Sequence, residues 1–196
     1  MPPRARTFTE RLRREHLIGV TVDLVAEHGY RGVSLQRIAT AAGISKAAVL
    51  YHFPTKDAVI AAAYEHVLGE LVAHVASAVE AAPDPWTAIE VDLDALLAHL
   101  EERPARARLV AEALPEERGL TEDDQRSPRR WEALAGLIEQ ARRAGRAGGD
   151  VDPRTASIML NGAVDALVGA ALRDPRIRIS DARPAVRDLA GRLLAP

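Results

Sequence analysis

The chain is 196 residues long, 47% hydrophobic but only 4% aromatic, and it contains no cysteine. That length holds one substantial helical core and one small one, and the missing thiols exclude disulfide and thiolate chemistry. A net charge of −2 conceals a split: residues 1–57 hold 9 Lys or Arg against 5 Asp or Glu, a net +4, whereas the other 139 hold 17 against 23, a net −6. A basic N-terminal third on an acidic body is what a DNA-binding head on a body that should not stick to DNA presents. Both lysines of the chain, Lys46 and Lys56, lie in the basic third. No run reaches the roughly 20 apolar residues that a membrane helix needs. The N-terminus, with Arg4 and Arg6 followed by polar residues, lacks the apolar core of a signal peptide, so a cytoplasmic location is expected.

In chain order, Thr7 with Glu10 three residues on predicts a capping box. Leu17, Ile18, Val22, Leu24 and Val25 give a long first helix that Gly29 closes, with Gly29 to Val33 as a link. Ser34 precedes a short apolar set, Leu35, Ile38, Ala39 and Ala42, spaced for one helix face. Gly43 then stands where a left-handed cap costs glycine least, and Ile44 can fold back onto the apolar face. Ser45 is a second N-cap, from which Val49, Leu50 and Phe53 repeat at helical spacing. That leaves Lys46, Ala47, Ala48, Tyr51 and His52 facing outward as a candidate reading surface. Pro54 ends this helix, and Thr55 with Asp57 starts another. Two short helices with a glycine-bearing turn between them are the build that sets one helix into a DNA major groove. Lys56, at the new helix's N-terminus, works against the helix dipole; a DNA phosphate held by its ammonium and the free N–H groups there would account for it.

The runs Ile38-Ala39-x-x-Ala42-Gly43-Ile44-Ser45-Lys46 and Tyr51-His52-Phe53-Pro54-Thr55-Lys56-Asp57 resemble the DNA-binding domain of TetR-type transcriptional regulators, over roughly residues 10 to 60. The remaining two thirds match that family only in length and helical character. The resemblance implies that Ser34 and Gln36 or Arg37 approach the DNA backbone or groove edge. It implies that Ser45, Lys46, Ala47 and Ala48, on the next helix, enter the groove, and that Tyr51, His52 and Lys56 hold phosphates. Such proteins commonly carry an aromatic at the place of Leu50 and a glycine or hydroxyl residue at Ala47 and Ala48; here Tyr51 is the aromatic expected to meet phosphate. With two alanines on the reading helix, base recognition would depend on Lys46 toward guanine, alanine methyls against thymine, and polar help from Tyr51 or Gln36.

Beyond Thr55 a long helix carries Ile60, Tyr64, Val67, Leu71 and Val75 on one stripe and breaks at Ala82-Pro83-Asp84-Pro85. Pro85 opens a helix with Trp86, Ile89, Leu93, Leu96, Leu97 and Leu100, and Pro104 opens a shorter one through Leu114. Residues 115–126, acidic and patternless, predict a loop, with Glu116, Glu117, Glu122, Asp123 and Asp124 simply solvated. Ser127-Pro128 starts a helix through Trp131, Leu134, Leu137 and Ile138, which frays toward Gly145 to Gly149, and Asp152-Pro153 starts the next.

The stretch from Ile158 to Leu172 leaves only Asn161 and Asp165 strongly polar, so it should be buried on two sides, one of them against a second copy. Leu160, Ala163, Val164, Leu167 and Ala171, with Val186, Leu189 and Leu193 of a last helix from Pro184, are the expected dimer interface. Tyr64, Trp86, His99, Trp131, Met159, Asn161 and Asp165 are the candidates for a small-molecule pocket, being apolar walls with few polar groups. His66, Glu70 and His74 recur every four residues, a spacing that could hold a metal, but a solvated stripe accounts for them and no metal or cofactor is expected. No catalytic constellation is present: there is no Gly-x-Ser-x-Gly, no phosphate-cradling glycine loop, and Asp92 and Asp94 face different ways on a helix.

The expected architecture is all-α, with a helix-turn-helix DNA-binding domain over 1–54 joined by a long helix to a helical ligand-binding and dimerisation domain over 55–196. The expected function is a homodimeric repressor of a palindromic DNA operator, released by a small molecule of unknown identity. The rival reading is a helical small-molecule carrier or protein-interaction module whose apparent head is only a packed three-helix unit.

Overall fold

The computed structural model describes residues 7–116, 126–148 and 150–195, and among them it is helical without a strand. The helices are α1 (Phe8–Gly32), α2 (Leu35–Ala41), α3 (Lys46–His52), α4 (Lys56–Glu80), α5 (Pro85–Glu102), α6 (Pro104–Glu116), α7 (Arg126–Arg143), α8 (Pro153–Arg173) and α9 (Ile179–Leu193). They form two compact units, Met1–Gly69 with Arg108–Leu120, and Glu70–Ala107 with Thr121–Pro196. The expected division at residue 54 is not where the compact units part. The first half of α4 carries Val59, Ile60, Ala63 and Val67, all essentially solvent-free, in the core of the first unit, and Leu109 and Val110 of α6 join them. Arg108 donates to the Ala26 carbonyl at 2.7 Å within this unit.

In the first unit the capping box forms as expected: Glu10 N–H donates to Thr7 Oγ1 at 3.3 Å and Thr7 N–H to Glu10 Oε2 at 2.7 Å. Gly29 ends the regular part of α1 with φ +69, and a short helical turn continues to Gly32. Leu17, Val25, Ile38, Ala39, Val49 and Phe53 close the core. Leu50, expected beside Val49 and Phe53, is instead 40% exposed. A seven-residue helix has one buried side, and Val49 and Phe53, four apart, take it; Leu50 lies 100° away.

In the second unit α5 packs on α7, α8 and α9, while α8 packs on α7 and α9. Ile89, Leu93, Leu97, Leu134, Ile138, Leu160, Val164 and Ala190 fill the centre. Asp84 and Asp152 cap α5 and α8, each ahead of a proline at the first helical position, where its absent N–H costs nothing. Gly145, φ +66, ends α7 in a left-handed cap in which Arg146 N–H reaches the Ala141 carbonyl at 2.8 Å. The last helix starts at Ile179, five residues before the expected Pro184, which lies inside it. Pro184 is the sixth residue of the helix, past its first turn, so it forgoes the backbone bond an N–H there would make to the Ser180 carbonyl.

The acidic loop expected over 115–126 begins later, since α6 runs to Glu116 and α7 starts at Arg126; its centre, with Glu117, Glu122, Asp123 and Asp124, lies outside the described residues. Contrary to the sequence-based expectation, α4 and α8 are by length and composition long and apolar enough to cross a membrane; core helices of water-soluble proteins pass the same test. Both contribute to the cores just described.

Candidate functional site

The turn between α2 and α3 follows from three residues. Gly43, at φ +67, lets its own N–H reach the Thr40 carbonyl at 3.2 Å and the Ile44 N–H reach the Ala39 carbonyl at 3.0 Å, the paired bonds of a Schellman cap. Ser45 Oγ then accepts from the Ala48 N–H at 3.2 Å and opens α3, as Ser34 Oγ accepts from the Arg37 N–H at 3.1 Å and opens α2. Because both helices are capped and the turn is locked, α3 holds a fixed direction with Val49 inward.

Its outward side is the expected one. Ser34, Gln36, Arg37, Ser45, Lys46, Ala47 and Tyr51 are exposed, and Ala48, His52 and Lys56 are half-buried. Two residues of α1 that the sequence does not tie to this surface hold it. Arg14 donates to the His52 carbonyl and lays its guanidinium 3.9 Å above the centre of the Phe53 ring, placing a cation at the C-terminus of α3 where the helix dipole favours it. Glu10 accepts from the Tyr51 hydroxyl at 2.9 Å through Oε1 while its other oxygen serves the cap of α1. The capping box marks Glu10 in the sequence, but its reach over 41 residues leaves no local signal.

Lys56 is placed differently from the simple dipole argument. Its Nζ donates to the Tyr30 carbonyl at 2.8 Å and lies 4.3 Å from the Tyr30 ring centre, while the Tyr30 hydroxyl donates to Asp57 Oδ1 at 3.0 Å. The carbonyl and ring offset the unfavourable dipole and give Lys56 a structural reason to be there without a phosphate. Thr55 Oγ1 accepts from the Ala58 N–H at 3.0 Å and supplies the cap.

The seven pocket candidates do not converge. Tyr64, 3% exposed, belongs to the first unit and the other six to the second. Met159 is 51% exposed and lies on the opposite side of α8 from the buried Asn161, so the two cannot wall one pocket. Asn161 Nδ2 donates to the Ser157 carbonyl at 3.0 Å, and Ser157 Oγ to the Trp131 carbonyl at 2.7 Å, so this polar pair satisfies itself within the unit. Trp86, Trp131 and Asp165 are half-buried. An open cleft of about 220 Å³, with Leu100, Ala107, Val168, Ala171, Ile177 and Arg178 on its walls, includes none of the seven.

His99 differs from the rest. It is 3% exposed, its Nδ1 lies 3.1 Å from Arg103, its ring centre is 4.7 Å from that of His74, and its Nε2 is buried with no hydrogen-bond partner among the described residues. Burial, followed by the charge of Arg103, pushes its pKa below the ordinary histidine value. Asp92, also on α5 and 8% exposed, was set aside in the sequence; burial pushes its pKa up to about 6. No group of three metal-ligating side chains occurs among the described residues. Glu70, of the expected histidine stripe, is 3.0 Å from Arg106 instead.

The dimer candidates divide between the chain's own core and its surface. Leu160, Val164 and Val186 are buried in the chain's own core, and Ala163, Leu167, Ala171 and Leu193 lie at its margin. Helical geometry turns Ile158, Met159, Gly162 and Ala166 outward, together with Leu189 of α9, which is one of the expected interface residues. An all-apolar helix gives no hydropathy contrast from which to tell its core side from its outward side.

Residues 17–63 match the model of a family described as bacterial regulatory proteins, tetR family. Over 57 residues the chain is 35% identical to YerO of Bacillus subtilis, an uncharacterized HTH-type transcriptional regulator, covering 29% of this chain and 20% of that one. It is 32% identical over 56 residues to the HTH-type transcriptional regulator RutR of Escherichia coli, covering 29% and 26%. The match thus spans only about a fifth to a quarter of those relatives. Among solved structures, a TetR transcription regulator from Haloarcula marismortui superposes with a TM-score of 0.80 at 26% identity, covering 94% of this chain and 99% of that one. The transcriptional regulator FadR of Bacillus subtilis, solved with stearoyl-CoA, superposes at 0.74 and 16% identity over 90% and 96%, a likeness of fold alone.

Proposed function

We propose that the chain is a TetR-type regulator that binds a near-palindromic DNA operator as a homodimer, represses from it in the cytoplasm, and is released by a small molecule lodged in the second unit. The observation that carries this reading is the capped α2–turn–α3 arrangement, which holds an exposed, basic-ended helix face on a rigid core. In the complex, Lys46 and the methyls of Ala47 and Ala48 meet base edges, while Ser34, Arg37, Tyr51, His52 and Lys56 meet phosphates. Lys56 would turn from the Tyr30 carbonyl to do so, and Tyr51 from Glu10.

The dimer forms through the outward side of α8, where Ile158 and Met159 supply apolar area and Gly162 and Ala166 let a second helix approach closely. Two heads then read half-sites about 34–36 Å apart. Gly69 and Glu70, neighbours in α4, fall in different compact units, so this helix connects the reading head to the ligand-receiving body. A ligand that prefers one head spacing by a few kcal/mol is enough to empty the operator. The alternative, a helical carrier, needs no capped and basic reading face.

Selection of duplexes from a random library by the purified protein tests the reading. Enrichment of a two-fold-symmetric motif with half-sites about one turn apart supports it; a library that stays random refutes it.

A further inference from the structure

Asp92 and His99 are seven residues apart on α5, so they lie within about 20° of one another around the helix and about 10 Å apart along it. Leu96, 6% exposed, lies between them on the same side. This face is otherwise apolar, and both polar groups are more than nine-tenths buried.

Neither is satisfied by the protein. Asp92 has no hydrogen bond or ion pair among the described residues, and burial alone accounts for its raised pKa. Arg103, a donor on every nitrogen, is 3.1 Å from His99 Nδ1, so Nδ1 accepts and the ring proton sits on Nε2. That Nε2–H is buried and meets no acceptor. The other charged and titratable groups here are accounted for: His74 stacks on His99, Arg106 pairs with Glu70 at 3.0 Å, and Asp94, round the helix, accepts from Arg183 Nε at 2.8 Å.

A buried N–H with no acceptor among the described residues, and two turns away on the same face a carboxylate with no partner among them in a site only 8% exposed, cost stability without return in the free protein, a pattern expected where a ligand supplies the missing partners. We propose that Asp92 and His99 are the polar anchors of the ligand site in the second unit, and that its ligand is an elongated, mostly apolar molecule with a carbonyl-type acceptor for His99 at one end and a protonated amine for Asp92 at the other. The two ends are roughly 5–10 Å apart, the shorter span if the molecule lies between the anchors and the longer if it lies alongside them. Leu96 packs against its middle. This deepens the ligand-responsive reading above and rests on it.

Three probes separate the ends: octan-2-one carries only the acceptor, octylamine only the cation, and 8-aminooctan-2-one both. Calorimetric titration of the full-length protein at pH 7.5 should show 8-aminooctan-2-one binding at least about tenfold tighter than either single-ended probe, the range of one charge-assisted hydrogen bond. Asp92→Asn should reduce it to the level of octan-2-one, His99→Phe to that of octylamine, and His99→Gln, which keeps a donor, should retain part of the preference. If all three probes bind alike, or both variants bind the double-ended probe as the wild type does, the anchor assignment is overturned while the ligand-receiving body stands. If no probe binds the wild type, the anchor assignment is overturned, while the regulator reading stands or falls on the operator selection above.

Discussion

The Tyr51 hydroxyl donates to Glu10 Oε1 at 2.9 Å, so the one aromatic ring on the reading surface is held by the carboxylate that also caps α1. A carboxylate in that position repels phosphate, and on the proposed reading the hydroxyl exchanges it for a phosphate oxygen when DNA binds. Tyr51 is 73% exposed, so Tyr51→Phe should change stability by less than about 0.5 kcal/mol while weakening operator binding several-fold. Glu10→Gln keeps the cap and removes the charge, and should tighten binding to any duplex. Urea denaturation paired with anisotropy titrations measures both; weaker binding by Glu10→Gln would show that Tyr51 needs its present partner.

One variant separates the structural role of Lys56 from the phosphate role proposed for it. Lys56→Ala loses the Tyr30 carbonyl bond and the ring contact, a cost of about 1 kcal/mol in stability. If Lys56 also holds a phosphate, the slope of log affinity against log salt falls by roughly one unit on every DNA sequence. A variant less stable but unchanged in salt slope would leave Lys56 as a purely structural lysine.

Asp92 makes stability depend on pH in a defined direction. Its carboxyl titrates near 3.8 when unfolded and about 6 when folded, so between about pH 4 and 6 the folded state holds the extra proton. Stability is therefore lost as pH rises through this window and stays lower above it. Asp92→Asn removes that loss and should gain about 2–3 kcal/mol at pH 7.5, shrinking toward zero near pH 4. Thermal unfolding at both pH values checks it; an equal gain at each would assign the effect to something other than ionisation.

Met159, 51% exposed, and Ile158, 39% exposed, mark the side of α8 left for a second copy. The wild type should sediment at twice its 21.2 kDa chain mass, and Met159→Glu should sediment as the single chain with its helix content intact. The same charge at Leu160, which is buried, should instead unfold the protein. Dimers surviving Met159→Glu would move the interface elsewhere.

The head was legible in the sequence because each of its turns depends on a residue type that only that geometry rewards. Ser34 and Ser45 are caps, Gly43 is a left-handed cap, and Val49 and Phe53 are spaced by one turn. What escaped was whatever depends on distant partners: Glu10 reaching Tyr51, Arg14 reaching Phe53, and the Tyr30 carbonyl under Lys56. In the body, helix positions were readable from Asp-Pro starts and the Gly145 stop, but not which apolar side of α8 faces the core. Burial of Asp92 is not visible in the sequence, because an aspartate amid leucines looks like an exposed position until the neighbouring helices are in place.

Whether α3 reads DNA is tested most directly by anisotropy of a labelled duplex from upstream of the protein's own gene, titrated with salt and with a random duplex as competitor. Binding that resists the random competitor, falls steeply with salt, and changes its sequence preference when Lys46 is replaced is the predicted result. Binding equal on both duplexes, or none on either, would contradict it.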